Sequence, residues 1–345
     1  VSVTDRSAEP RAFTASLITA CWSTQVIHAA VRLGIPELLA EGVASSKDLA
    51  ARLNVAPGPL FRLLRALAVL DQCRHCGGDR FELTAAGQYL RKDVPGSLHV
   101  VALHWGGRTW SALTHLEDAV RTGAAWHHSG REGFYSMAER PQEASVLNRS
   151  MAQQTLVVAR AIVDAYDFTR CRDVVDLGGG YGALLSEVLK AYPHLEGASA
   201  DLAYLESDAR RFLNEAGVAE RARFIPTDFF ASVAAGADCY LLKFIIHDWN
   251  DADAIQILRN TAVAAGARGT VLIIEQIAPQ LVTCDPQQAL VIRGDIHMLA
   301  ATGGMERTEA EYRALLAQAG LELTRILPTA SSFSIIEALS ARAEN

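Results

Sequence analysis

The stretch Asp173-Val174-Val175-Asp176-Leu177-Gly178-Gly179-Gly180-Tyr181-Gly182 constrains this chain most. A short apolar run enters a turn that holds four glycines, and helix-forming residues follow from Ala183 to Tyr192. The same grammar then recurs. Apolar segments at 196–201, 223–226, 238–243 and 270–275 alternate with helical stretches at 205–216, 252–265 and 309–319, and 334–338 closes the series. Strands alternating with helices of about ten residues predict an α/β, Rossmann-like domain with a mostly parallel sheet. Glycines after the first strand let the backbone take positive φ and approach a ligand. That ligand then meets the N-terminus of the following helix.

The first part of the chain reads differently. Phe13 to Ala30 has helical spacing, and Pro36 opens a short helix. Residues 46–53 form a helix with Ser45 or Ser46 as N-cap. Leu60, Leu63, Leu64, Leu67 and Leu70 make one stripe, with Arg62 and Arg65 opposite. Thr84 caps a further helix, Ala85 to Leu90. Helix, turn, helix and a Gly-linked strand predict a winged helix. The expected division is 1–105, helical winged-helix domain, and 106–345, catalytic domain with a helical linker at its start. Two arginines make no basic stripe, and 32 basic against 39 acidic residues give a net charge of −7. Nucleic acid is therefore not the expected partner.

No apolar run approaches the roughly 18 residues a membrane helix needs. The polar stretch Val1 to Arg11 carries no secretory core. With six scattered cysteines, a reducing cytoplasm is the expected compartment. Cys73-x-x-Cys76 lacks a second ligand pair and reads as a turn between helix and strand.

Gly178-x-Gly180-x-x-Ala183 fits a dinucleotide fingerprint, so a nicotinamide cofactor is one reading. Asp176 argues for another. A carboxylate beside the loop repels a pyrophosphate and suits an ammonium or sulfonium group. Asp201 can accept from a ribose diol, and Asp228 from an adenine amino group. Ribose, adenine and a positive head without phosphate describe S-adenosylmethionine.

Residues 173–182 resemble the first motif of class I methyltransferases. Leu242-Lys243-Phe244-Ile245-Ile246-His247-Asp248-Trp249-Asn250-Asp251 and Gly303-Gly304-Met305-Glu306-Arg307-Thr308 resemble segments of one family within that class. It is the small-molecule O-methyltransferases of the caffeate, hydroxyindole and bacterial polyketide type. The resemblance implies a homodimer formed through the winged-helix domain and an aromatic small-molecule acceptor in natural-product pathways, antibiotic biosynthesis included. It places Gly178 and Gly180 against the methionine part of the cofactor, Asp201 on the ribose, Asp228 and Phe229 on the adenine, Lys243 beside them and Trp249 flanking the ring. Ala200-Asp201-Leu202-Ala203 departs from the usual Phe-Asp-Leu-Pro, which leaves the turn after Asp201 open.

Methyl transfer asks the protein mainly to align nucleophile, methyl carbon and sulfur. A phenol with a pKa near 10 also needs a base, and histidine suits that task. The resemblance gives His247 this role. Glu275 is expected to hydrogen-bond its imidazole, and Glu306 to flank it. Asp248 is expected to cap the following helix while lying on the acceptor side. Asn148, Met151 and Met298 match acceptor-touching positions. His104, Trp105, Trp110 and the run Trp126-His127-His128 can line the pocket or the domain seam. No metal is required. Methylation of aromatic carbon, and a ligand-sensing winged-helix regulator on the same fold, are the alternatives.

Overall fold

The computed structural model describes residues 9–126 and 131–341. The chain divides into two compact units, Val1–Ser111 and Ala112–Asn345.

The first unit is a winged helix. The segment read as one helix from Phe13 is two, Pro10–Thr19 and Cys21–Leu33. Thr14, Ser16, Thr19 and Ser23 all donate hydroxyl hydrogen bonds to carbonyls one turn back, a habit that bends helices. Gly34 closes the second helix at φ +74°. Ser45 caps Ser46–Leu53 by accepting from the Asp48 amide. Leu60, Leu64 and Leu67 of Pro57–Val69 pack on Leu49 and Phe81, while Arg62 and Arg65 face outward. Three short strands, β1 (Ala44–Ser45), β2 (Cys73–His75) and β3 (Arg80–Leu83), pair antiparallel in the order β1-β3-β2. Cys73 thus opens a strand, not the expected turn. Its buried thiol donates to the Leu64 carbonyl, whereas Cys76 is exposed. The expected helix 85–90 shrinks to a 3-10 turn, Gly87–Leu90, whose cap position is Ala86; the Thr84 hydroxyl accepts from the Gly87 amide.

The second unit is built on seven strands. These are β4 (Asp173–Leu177), β5 (Glu196–Asp201), β6 (Ala222–Pro226), β7 (Cys239–Lys243), β8 (Thr270–Glu275), β9 (Leu321–Pro328) and β10 (Ser334–Ser340). Their order is β6-β5-β4-β7-β8-β10-β9. The first five run parallel, and β10 joins β8 and β9 antiparallel. Side chains alternate between two cores. Val175, Tyr240, Leu242, Val271 and Ile273 fill one face; Val174, Leu241, Leu272 and Ile274 fill the other. Burial on both faces explains why these strands read as continuous apolar runs. From β4 the chain steps outward to β5 and β6, then returns to β7 on the other side. The order therefore reverses at β4, and the carboxyl end of a strand at such a point is where α/β sheets bind ligands. No described helix is long and apolar enough to cross a membrane.

Candidate active site

The glycine turn leaves β4 at this reversal. Gly178 and Gly180 take φ of +65° and +57°. A Cβ on Gly178 would stand 2.3 Å from Ile245 Cδ1, so a larger residue fits neither backbone nor space. Asp201, ending β5, spans the turn: Oδ2 accepts from the Gly180 amide at 2.8 Å and Oδ1 from the Leu202 amide at 2.7 Å. The turn after it forms without the family's usual proline, as the 3-10 segment Ala203–Leu205. Burial pushes the Asp201 carboxyl up to about 6. Asp176 is buried beneath the turn, and burial pushes it up to about 7, with Lys243 opposing and Asp201 reinforcing. Two desolvated carboxylates around a backbone cradle suit a cationic, hydroxyl-bearing ligand and oppose a diphosphate.

The adenine-side residues divide. Asp228 is exposed and accepts from the Phe230 amide, closing its own turn. Phe229 is half-buried and lies 3.5 Å from the Cβ position of Gly178. Trp249 is only 4% exposed, enclosed by Phe134, Phe229 and Phe230 at ring-centroid distances of 5.4, 6.0 and 4.8 Å. It lies in the core, with Phe229 nearer the glycines. Lys243 is half-buried, and burial lowers it to about 8 against the pull of Glu275 and Asp176.

The turn after β7 carries the base candidate. Phe244 breaks the strand at φ +55°, and Ile246–Asp248 form a 3-10 turn. His247 is 6% exposed, and its Nδ1 lies 2.8 Å from Glu306 Oε1. Glu275 does not make the expected bond, since its Oε2 is 3.8 Å from Nδ1. Instead, Glu275 Oε1 accepts from the amides of Ile245 and Ile246, both at 3.0 Å, and anchors the start of the turn. The carboxylates have exchanged the parts foreseen for them. Asp248 is not the helix cap either. Asn250 caps Asp251–Ala265 by accepting from the Asp253 amide, while Asp248 Oδ1 lies 3.7 Å from His247 Nε2. Burial raises Asp248 to about 6 and Glu275 to about 7. Burial works against a charge on His247, but Glu275, Glu306 and Asp248 outweigh it and lift the imidazole to about 10.

Segment 303–308 clasps this turn. Met305 donates its amide to the His247 carbonyl at 2.9 Å, and a Cβ on Gly304 would lie 2.0 Å from that oxygen. Arg307, fully buried, donates to the Ile246 and Trp249 carbonyls at 2.9 and 2.8 Å and to Asp251 Oδ1. Arg307 had no role assigned from sequence; its signal was its place directly after Glu306. His247, Glu275 and Glu306 offer donor atoms within 4.8 Å of one another. Within this group Nδ1 of His247 is already engaged with Glu306.

Of the acceptor candidates, Met298 is buried on Pro286–Ala301. It lies three residues after Asp295, whose Oδ1 accepts from the Glu306 amide. Met151 is half-buried on Pro141–Ala165. Asn148 Oδ1 lies 3.8 Å from the Cβ position of Gly180, so this residue faces the glycine turn. His104 is buried in the first unit, hydrogen-bonded to Thr109 and lowered to about 4 by burial. Trp105 and Trp110 are half-buried in the same unit. Trp126 donates its amide to Ala300 and stacks on His115. His127 and His128 lie outside the described residues.

Comparison with known proteins decides the family. Residues 113–322 match the O-methyltransferase domain, and residues 15–93 the O-methyltransferase dimerisation domain. The chain belongs to the O-methyltransferase family. It is 37% identical over 331 residues to O-demethylpuromycin-O-methyltransferase of Streptomyces alboniger, covering 93% of this chain and 88% of that one. It is 36% identical to a phenazine O-methyltransferase of Lysobacter antibioticus, covering 93% and 94%. A solved O-methyltransferase from neocarzinostatin biosynthesis, crystallised with S-adenosylmethionine and 2-hydroxy-5-methyl naphthoic acid, superposes with a TM-score of 0.79 at 30% identity, covering 92% and 95%. This O-methyltransferase is an S-adenosylmethionine-dependent enzyme, and the nicotinamide alternative falls away.

Proposed function

We propose that this O-methyltransferase methylates a phenolic hydroxyl of an aromatic natural product, with His247 as general base. The hydrogen bond from Nδ1 to Glu306 at 2.8 Å carries the reading. It fixes the tautomer, leaves Nε2 to take the acceptor's proton, and places a carboxylate where the imidazolium charge appears. Glu275 adds a second negative charge at 3.8 Å and holds the turn in place. The carboxylates around it raise the basicity of His247 toward that of a phenolate, which favours passage of the proton. S-adenosylmethionine supplies an already activated methyl group. On the protein side, Gly178, Gly180 and Asp201 would hold its methionine and ribose parts, Asp176 its positive end, and Phe229, Asp228, Lys243 and Trp249 the adenine side. Met151, Met298 and Asp248 would face the acceptor, with Asn148 between acceptor and cofactor.

The relatives' names support an aromatic acceptor: an O-demethylated puromycin, a phenazine and a hydroxynaphthoic acid. The matched dimerisation domain supports a homodimer formed through residues 15–93. A panel of hydroxylated naphthoates, phenazines and aminonucleosides, scored for S-adenosylhomocysteine release and for the position of the new methyl by mass spectrometry, tests the reading. Methyl on a phenolic oxygen, lost in His247→Ala, is expected. Methyl on ring carbon, or full turnover by His247→Ala, would overturn the oxygen assignment or the base assignment respectively.

A further inference from the structure

Three described residues other than glycine have positive φ: Asn54, Asp71 and Phe244. Asn and Asp tolerate this region through their short polar side chains; a bulky aromatic does not. Strain of this kind persists only where the surroundings enforce it, and it gathers at functional sites. Glycine would relieve it sterically, so what phenylalanine adds at 244 is its ring.

That ring lies on the base candidate. The Phe244 and His247 centroids are 4.5 Å apart and their planes differ by 3°. Phe333 packs on Phe244 at 4.6 Å and 56°, and Lys243 Nζ sits 4.1 Å from the Phe244 centroid. The charged groups facing His247 come from three segments: Glu275 from β8, Glu306 from the clasp and Asp248 from the same turn. All three pull on nitrogen atoms. The bond to Glu306 holds one edge of the imidazole, and among the described residues nothing polar bears on its face. The parallel stack covers that face, and Phe333 packs against Phe244 in turn.

We infer that Phe244 is a positioning residue for the base: its ring sets the plane of the His247 imidazole, so that Nε2 meets the acceptor oxygen, and its π face lies against the imidazolium formed on proton uptake. This rests on His247 being the base. Packing alone would need only an apolar side chain of similar volume. A stack under a cation needs an aromatic face, because the attraction comes from the ring quadrupole.

The full-length enzyme with S-adenosylhomocysteine bound provides the test, in Phe244→Leu, Phe244→Met, Phe244→Trp and His247→Ala. The His247 ring is followed by NMR of 15N-histidine-labelled protein and identified by its absence in His247→Ala. Turnover is measured with 2-hydroxy-5-methyl naphthoic acid. Leu and Met at 244 are expected to make the imidazole about tenfold harder to protonate, the scale of a desolvated cation–π contact. Above about pH 10, where the imidazole is free to accept a proton, they should also lower kcat up to about tenfold with KM and S-adenosylhomocysteine affinity within twofold, and Trp should restore both. Equal protonation in the Leu, Met and Trp variants would overturn the inference, as would a loss of kcat matched by loss of cofactor affinity. If that acceptor is not turned over, the NMR comparison decides alone. If His247→Ala keeps full turnover, the base reading fails; if it is inactive while Phe244→Leu is normal, only the role of Phe244 fails.

Discussion

Two turns leave adjacent parallel strands of one sheet and are held in opposite ways. The turn after β4 is local. Its shape comes from glycines, and its main support is Asp201, 21 residues away from the Gly180 amide it accepts from. The turn after β7 is held from afar. Glu275 reaches it across 30 residues from β8, and Glu306 across 59 from the clasp. A ligand cradle made of backbone needs little besides space and φ. An acid–base centre needs a side chain aimed to within a fraction of an ångström, and that aim comes from several segments docking together.

The largest expected break between the two is His247→Ala. It should cost on the order of 10²–10⁴ in kcat while S-adenosylhomocysteine affinity, read by calorimetry, stays within twofold. A parallel fall in affinity would show the two turns to be one energetic unit. Arg307→Met removes charged hydrogen bonds to two carbonyls of the β7 turn and leaves those oxygens buried. It should destabilise the protein by about 3 kcal/mol or more, measured by denaturant unfolding. Asp251→Asn should cost much less, because the Asp251 side chain is 65% exposed. Gly178→Ala attacks the other turn. With φ at +65° and Ile245 in the way, it should weaken S-adenosylhomocysteine binding roughly tenfold and leave the His247 ionisation in place.

The gentlest probe is pH. A histidine lifted to about 10 is protonated at neutrality and cannot yet accept a proton. kcat/KM of the free enzyme should therefore climb from pH 7 toward 10, with a slope near one, and His247→Gln should flatten that climb. The stability sign runs the other way. The folded-state value lies above the unfolded one near 6.5, so this ion-pair contribution is fully present below about 6.5 and is lost as pH rises through about 10. Melting temperature should fall over that span in wild type and fall less in His247→Gln.

The parts legible in sequence are those written in consecutive residues. The glycine turn, the alternation of strands and helices, and the leucine stripe of Pro57–Val69 needed no partner from elsewhere. The exchange between Glu275 and Glu306 was not legible, since both carboxylates end apolar or glycine-rich segments and only docking decides which one reaches Nδ1. Asp248 and Asn250 are two capping types two residues apart, and the register of a 3-10 turn chose between them. β9 is missing from the expected strands although the alternation of buried Leu321 and Leu323 with outward Glu322 and Thr324 is a strand signal; it covers only four residues and then stops. The break at Ala20 came from hydroxyls bonding back along the helix, which apolar periodicity does not register.

Gly304 sets a boundary for anyone who redesigns this catalyst. Its missing side chain is the room occupied by the oxygen of residue 247, so a library randomised there would return inactive or unfolded clones whatever the desired acceptor. On Pro286–Ala301 the same caution applies to Asp295, whose carboxylate holds the Glu306 amide, and Met298, three residues on, is the position to vary if it faces the acceptor as proposed.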